Sequence, residues 1–271
     1  MDLRRKADEI RLKTFETITH AGGGHYGGSL SAIEIMTVLY YDIMNIDKDH
    51  MHDDARDRFV LCKGHAGPPL YAVLADRGFF PAEWLLELDA DGGHLPKHVD
   101  RKKVPGIEFS SGPLGQGLSV ACGMALPLLH RQPDARVYAL LGDGECDEGQ
   151  VWEAAMLAAH YQLGNLIAIV DYNKCQIDGA VSRVMGLEPL ADKWAAFGWN
   201  VLEADGHDVD ALHDVLTSAK RHTGSPTVIL AHTKKGHGVS FMEGNYLWHS
   251  GKITAEQFET GRKELESACR R

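Results

Sequence analysis

Two short polar segments, each directly after an apolar run, have side chains suited to binding a metal ion and a phosphate group. The run Val137–Leu141 is followed by Gly142-Asp143-Gly144, and the run Leu166–Val170 is followed by Asp171-Tyr-Asn173. If both runs are adjacent parallel strands joined by one helix, Asp143 and Asn173 lie side by side at one sheet edge. A carboxylate, an amide oxygen and a loop carbonyl are hard oxygen ligands of the kind that Mg²⁺ prefers. A Gly-Asp-Gly triplet alone is also a common turn, so the indication depends on its pairing with Asn173.

Four of the fifteen histidines stand in glycine-rich or polar loops. These loops are Gly24-His25-Tyr-Gly-Gly28, Lys63-Gly-His65-Ala-Gly67, Lys97-His98-Val99 and Trp248-His249-Ser-Gly251. Imidazole can donate, accept and exchange protons near neutral pH, so these histidines are candidate functional residues. Most of the other histidines are expected to be surface or core residues.

The elements that position these segments alternate between β-rich apolar runs and helical patterns. Further runs are Arg58–Cys62, Val201-Leu202 and Thr227–Ala231. This alternation predicts an α/β fold, a doubly wound and mostly parallel sheet with helices on both faces. A helix is predicted over Gln150–Leu163 with Gly164 as its terminating residue, and another is predicted after Asp208, which can cap it. Ligands of such sheets collect beyond the carboxyl ends of the strands.

Bulk composition excludes several other classes of protein. The chain has 271 residues and a net charge of -10 at pH 7, which disfavours a nucleic-acid role because duplex binding needs clustered cations. Its five cysteines form no C-x-x-C pair and the N-terminus has no apolar signal core, so we expect free thiols and a cytoplasmic protein. The uncharged segment Phe109–His130 is long enough to cross a bilayer, but its glycines and prolines favour a buried loop followed by a buried helix. We expect no membrane role and a single domain over residues 1–271.

The combined pattern resembles the diphosphate-binding half of transketolases over nearly the whole chain. The resemblance depends on the Gly-Asp-Gly and Asn pair, the four histidine loops and the segment Ser110-Ser-Gly-Pro-Leu-Gly-Gln-Gly117. It implies thiamine diphosphate as the cofactor, with Mg²⁺ (or Ca²⁺ or Mn²⁺), and the transfer of a two-carbon glycolaldehyde unit from a ketose phosphate to an aldose phosphate. It also implies the thiamine diphosphate-binding fold.

The resemblance assigns roles to individual residues of this chain. The metal ligands would be Asp143, Asn173 and the backbone carbonyl of Cys175. The substrate channel would be lined by the catalytic histidines His25, His98 and His249. The cofactor itself would be bound by His65, Gly112, Pro113, Leu114, Gly142, Asp143, Gly144, Glu148, Asn173, Ile177 and His249.

One loop departs from the family pattern. Transketolases commonly have Gly-His-Pro where this chain has Lys97-His98-Val99, and His94 in Gly92-Gly-His94-Leu-Pro96 is a competing candidate. His98 is preferred because its distance from Pro105-Gly106 fits family members with a short loop. Lys97 is consistent with an anionic substrate, although a solvated surface lysine is the simpler interpretation.

The chain is also shorter than a full transketolase, which continues through a pyrimidine-binding domain and a third domain. We therefore expect these domains on a separately encoded C-terminal subunit, most simply in an α2β2 assembly, with Phe109–His130 as the surface that faces it. The alternatives are the α-subunit of another thiamine enzyme, such as a 2-oxoacid dehydrogenase, and a non-catalytic subunit that carries the cofactor.

Overall fold

Five runs rich in Val, Ile, Leu and Ala form one parallel sheet in the computed structural model, which describes residues 1–270. The strand order is β1-β2-β3-β5-β4, and every neighbouring pair is parallel. The strands are β1 (Arg58–Leu61), β2 (Val137–Gly142), β3 (Leu166–Tyr172), β4 (Asn200–Asp205) and β5 (Thr227–His232). The strand predictions are therefore confirmed to within a few residues, and the expected α/β fold class is observed.

Helices connect the strands and also precede and follow the sheet. They are α1 (Leu3–His20), α2 (Tyr26–Leu30), α3 (Ile33–Val38), α4 (Gly67–Asp76), α5 (Gln116–Arg131), α6 (Gly149–His160), α7 (Val181–Val184), α8 (Leu190–Ala196), α9 (Val209–Arg221) and α10 (Ala255–Cys269). Within residues 1–270, none of them has the length and the apolar character needed to cross a bilayer.

Helices cover both faces of the sheet, and successive residues of a strand point to opposite faces. In β1, Phe59 and Leu61 pack into one core with residues of α1, α3, α4 and α9, while Val60 packs into a second core with residues of α5, α6 and α8. A third cluster joins α1, α2 and α10, with Phe15, Tyr26 and Leu265 as members. This arrangement accounts for strand sequences that are apolar on both faces.

The two predicted helix boundaries have different outcomes. Asp208 caps α9 as expected, since its carboxylate accepts hydrogen bonds from the backbone N–H groups of Asp210 and Ala211. The helix predicted to run from Gln150 to Leu163 is wrong at its end, because α6 stops at His160. Gln162, at φ 50°, takes the left-handed conformation, and Gly164 instead packs against the backbone of residue 223.

The uncharged segment Phe109–His130 forms a loop followed by α5, as predicted, but the helix is not buried on all sides. Leu118, Ala121 and Ala125 pack into the core. Gln116, Gly123, Pro127 and His130 are exposed on the opposite side. The segment therefore presents one uncharged outer face, and its predicted contact with a partner chain stays a prediction.

Candidate active site

A cavity of about 310 Å³ opens at the carboxyl ends of the central strands. Strands β2 and β3 are adjacent and in register, with Gly142 opposite Asp171, and the backbone N–H of Asp143 donates to the carbonyl of Asp171. Predicted residues in the cavity wall are His25, His65, His98, Gly112, Leu114, Gly142, Asp143, Gly144, Asn173, Cys175, Ile177 and His249. The sheet therefore brings together most of the residues that the sequence singled out.

The three predicted metal ligands lie in the same part of this cavity. Asp143 and Asn173 are 2% and 7% exposed. The Asn173 side-chain N–H donates to Asp171, so its amide oxygen faces away from that carboxylate, toward the backbone N–H of Cys175 at 3.1 Å. The carbonyl of Cys175 accepts a hydrogen bond from the Lys235 ammonium at 3.1 Å, so this oxygen is already in contact with a positive charge.

The electrostatics at Asp143 favour a bound cation. Burial raises the pKa of Asp143 to about 7, and the neighbouring Asp171 carboxylate adds to the rise. Backbone N–H groups of Gly144 and Lys174 donate to the carboxylate at 2.8 and 2.5 Å and partly offset the rise. A divalent ion beside Asp143 would supply the positive charge that this buried carboxylate lacks.

Sequence reasoning missed a buried ion pair beneath the predicted metal site. Lys63 and Asp171 pair through side chains that are only 2% and 0% exposed. Asp171 also accepts hydrogen bonds from the hydroxyls of Ser31 and Thr233, and Lys63 donates to the carbonyl of Gly28 at 2.9 Å. Burial alone would raise the pKa of Asp171, but Lys63 and the hydrogen bonds together lower it below its usual value.

Lys235 is a second buried cation that the sequence analysis did not select. Lys235 lies in the segment after β5 and is 2% exposed. Burial lowers its pKa, and the charge of Lys63 lowers it further. Besides Cys175 it contacts Nδ1 of His249 at 3.2 Å. Because an ammonium group can only donate, His249 accepts at Nδ1 and carries its proton on Nε2.

The four predicted histidines lie close together in the wall of the cavity. His25 lies centrally, with its ring centroid 5.1 Å from that of His65, 5.8 Å from His98 and 5.5 Å from His249. Burial lowers the pKa of His25 to about 4, assisted by His98 and Lys97. Burial lowers the pKa of His249 to about 4 as well, and that of His65 well below 6.5. These three imidazoles are therefore neutral at pH 7, so each can donate from one ring nitrogen and accept at the other.

The structure favours His98 over His94 as the residue at the cavity. His98 is exposed but lies in the cavity wall, within 3.8 Å of the position that a Cβ on Gly112 would occupy. His94 lies outside the cavity, where its ring stacks on Trp84 and contacts Glu87 at 2.5 Å. The catalytic role assigned to His98 stays a prediction. Neighbouring Lys97 is paired with Asp89 at 2.7 Å.

Two residues that the resemblance assigned to the cofactor do not reach the cavity in this chain. Pro113 and Glu148 are both exposed and are absent from its wall. The residues on either side of Pro113, Gly112 and Leu114, line the cavity. Glu148 stands at the N-cap position of α6 without a side-chain capping hydrogen bond, and its side chain lies close to Gly115.

A second cluster of possible metal ligands, Glu34, His207 and His237, lies outside this cavity. Glu34 is paired with the guanidinium of Arg11. Nε2 of His207 accepts a hydrogen bond from the backbone N–H of Lys234 at 2.8 Å, so its proton is on Nδ1, which donates to Glu34. A nitrogen that carries a proton cannot bind a metal, and the cluster therefore acts as a hydrogen-bonded link between α1, α3 and the segment after β5.

Comparison with known proteins identifies the family. The family model described as "Transketolase, thiamine diphosphate binding domain" matches residues 3–268. The 6-deoxy-6-sulfo-D-fructose transketolase subunit SqwG of Clostridium sp. (strain MSTE9) is 47% identical, over 98% of this chain and 97% of that protein. An apulose-4-phosphate transketolase subunit from Phocaeicola vulgatus is 41% identical, over 97% of this chain and 93% of that protein.

Other proteins named transketolase match over only part of their length. Homo sapiens transketolase is 37% identical over 98% of this chain but 42% of its own. A solved Pichia stipitis transketolase variant superposes with a TM-score of 0.91 at 31% identity, covering 99% of this chain and 41% of that one. The chain thus spans less than half the length of these proteins. It belongs to the transketolase family and corresponds to the N-terminal, thiamine diphosphate-binding part of that family.

Proposed function

We propose that this chain is the diphosphate-binding subunit of a two-chain transketolase, which transfers a two-carbon glycolaldehyde unit from a ketose to an aldose. The observation that carries the proposal is one cavity that combines Asp143, Asn173 and the carbonyl of Cys175 with four histidines. The family match favours this reaction over the alternative of a 2-oxoacid dehydrogenase α-subunit. It also favours an enzyme over a subunit that only carries the cofactor.

The oxygen ligands and the ammonium groups in the cavity fit Mg²⁺ and thiamine diphosphate. Asp143, Asn173 and the carbonyl of Cys175 would hold the metal, which neutralises the diphosphate and the buried carboxylate. The ammonium group of Lys235 adds positive charge at the cavity of a chain that is acidic overall, whereas the ammonium group of Lys63 is paired with Asp171. Bound thiamine diphosphate supplies the electron sink for cleaving and forming the carbon–carbon bond.

The histidines of this chain would bind and orient the sugar and exchange protons with its oxygens. Because His25 and His249 are neutral at pH 7, each can stabilise an oxygen that gains negative charge by donating a hydrogen bond. For His249 the donor is Nε2, since Lys235 occupies Nδ1. Nδ1 of His25 is buried and has no hydrogen-bond partner among the described residues.

A second chain is proposed to complete the site. Relatives whose names contain "subunit" match over 93–97% of their length, whereas the solved transketolases match over 41–45% of theirs. The part of the family that lies outside this match would supply the binding site for the pyrimidine ring. An α2β2 assembly is the simplest one in which each cofactor lies between two chains.

The substrate is proposed to be an anionic ketose. One relative is named for a sulfonated fructose and another for a sugar phosphate, and both types carry a negative charge at the end remote from the reacting carbons. The 47% identity to the first of them makes a sulfosugar a specific candidate beside pentose phosphates.

The test is a substrate screen with both purified chains mixed in the presence of thiamine diphosphate and Mg²⁺. Donor arms are xylulose 5-phosphate, fructose 6-phosphate and 6-deoxy-6-sulfofructose, each with an aldose phosphate as acceptor. We expect a ketose product two carbons longer than the acceptor, and none with the Asp143→Ala variant. Absence of two-carbon transfer from every donor, with both chains folded and associated, would overturn the proposal.

A further inference from the structure

The carboxylate of Glu145 joins two loops of the cavity that are distant in sequence. Glu145 lies in the short 3-10 turn Gly144–Asp147 after β2 and is 2% exposed. Its Oε1 accepts a hydrogen bond from the backbone N–H of Gly115 at 2.9 Å, and its Oε2 accepts one from the backbone N–H of Gly142 at 3.1 Å. Both oxygens therefore face N–H donors of the main chain.

Each of these glycines belongs to a different half of the proposed cofactor site. Gly142 begins the turn that contains Asp143, at the diphosphate and metal end. Gly115 ends the loop that contains Gly112 and Leu114, which lines the cavity at the ring end. Gly115 has φ 82°, and a Cβ there would lie 2.8 Å from that of Glu148, so the main chain of this loop passes close to the start of α6.

The other end of the Gly112–Leu114 loop is fixed independently. The hydroxyl of Ser111 donates to the carbonyl of Leu61 at 2.6 Å, at the end of β1. If the hydrogen bond at Gly115 were lost, the loop would stay attached to β1 through Ser111 but would no longer be held against the turn that follows β2. The carboxylate of Glu145 connects this loop to the diphosphate turn through its hydrogen bonds to Gly115 and Gly142.

We propose that Glu145 is a positioning residue that sets the distance between the ring-binding loop and the diphosphate turn, so that both ends of one cofactor molecule fit at once. This inference rests on the proposed function and deepens it. Glu145 would act through Gly115 and Gly142, without itself contacting the metal or the reacting atoms.

The isosteric change Glu145→Gln tests this role. An amide has one oxygen and one NH₂ group, so in either orientation an N–H would face the N–H of Gly115 or Gly142. The side-chain volume is retained while one of the two buried hydrogen bonds becomes a repulsive contact. Glu259→Gln on α10, an exposed position, is the matched control.

The measurement is calorimetric binding of two ligands to the reconstituted pair in saturating Mg²⁺. Thiamine diphosphate needs both loops, whereas inorganic pyrophosphate needs only the diphosphate turn. We expect Glu145→Gln to weaken thiamine diphosphate binding about tenfold or more and to change pyrophosphate binding much less. Glu259→Gln should change neither affinity.

Equal losses for both ligands, or no loss for either, would overturn the positioning role. If Glu145→Gln does not fold, Glu145→Asp replaces it, because it keeps both acceptor oxygens but is too short to reach both loops, and the same criterion applies. Failure of the wild-type pair to bind thiamine diphosphate would instead overturn the proposed function, so the two failures are distinguishable.

Discussion

Removing the carboxylate of Asp171 is expected to destabilise the fold and not only the site. In the Asp171→Ala variant, Lys63 stays buried at 2% exposure without its counter-ion. The hydroxyl of Thr233 and the amide of Asn173 lose their acceptor as well, and the hydroxyl of Ser31 keeps only the carbonyl of Gly28 at 3.3 Å. The substitution therefore leaves donors that are almost fully buried without their acceptor.

The magnitude follows from the burial of the pair. Breaking a buried ion pair by removing one partner costs about 3–5 kcal/mol, a large part of a typical stability of about 5–15 kcal/mol. At about 2–4 °C per kcal/mol for a chain of this size, the thermal midpoint should fall by about 10 °C. Replacing both charges, with Lys63→Met and Asp171→Leu together, should recover part of the loss because no charge remains buried.

Urea unfolding of the isolated chain, monitored by circular dichroism, measures the loss of unfolding free energy in each variant, and thermal unfolding monitored in the same way measures the midpoint. Asp49→Ala is the control, since Asp49 pairs with Lys48 at the surface with side chains 70% and 49% exposed. An exposed pair contributes about 0–1 kcal/mol. If Asp171→Ala costs no more than Asp49→Ala, the assignment of a buried, uncompensated Lys63 is wrong.

Three further predictions concern the cavity. Asp143→Ala and Asn173→Ala should each abolish Mg²⁺-dependent binding of thiamine diphosphate while leaving the circular dichroism spectrum unchanged; unaltered affinity in either would refute the metal assignment. His98→Ala should lower kcat of the reconstituted pair about a hundredfold, whereas His94→Ala should not; the reverse result would show that the loop was aligned wrongly. The free energy of unfolding should decrease as the pH is lowered from about 6.5 to about 4, in part because His25 takes up a proton in the unfolded state at a higher pH than in the folded state. In urea titrations at pH 7 and pH 5, this decrease should be smaller for His25→Gln than for wild type.

Most of the fold could be predicted from local sequence patterns. The apolar runs became strands because residues apolar on both faces are stable only between two layers of helices. The adjacency of β2 and β3, which brings Asp143 beside Asn173, was predicted from the order of strand, helix and strand along the chain. The end of α6 at His160 was not predicted, because Gly164 is needed for a close approach to a distant backbone segment.

The buried polar residues of the site could not be found in this way. Lys63 and Asp171 are separated by 108 positions, and Glu145 reaches Gly115 across 30. No local periodicity marks a charge whose partner is distant in sequence, so such residues resemble ordinary surface charges. For Lys63 a weak signal was present, since it directly follows a buried strand, at the sheet edge where ligands collect.

The most direct test of the two-chain proposal is calorimetric titration of thiamine diphosphate with Mg²⁺ into this chain, into the partner chain and into their mixture. We expect binding with high affinity only in the mixture, at one cofactor per pair of chains, with turnover appearing in the same sample. High-affinity binding together with two-carbon transfer by this chain alone, with no partner detectable by mass spectrometry, would contradict the proposal.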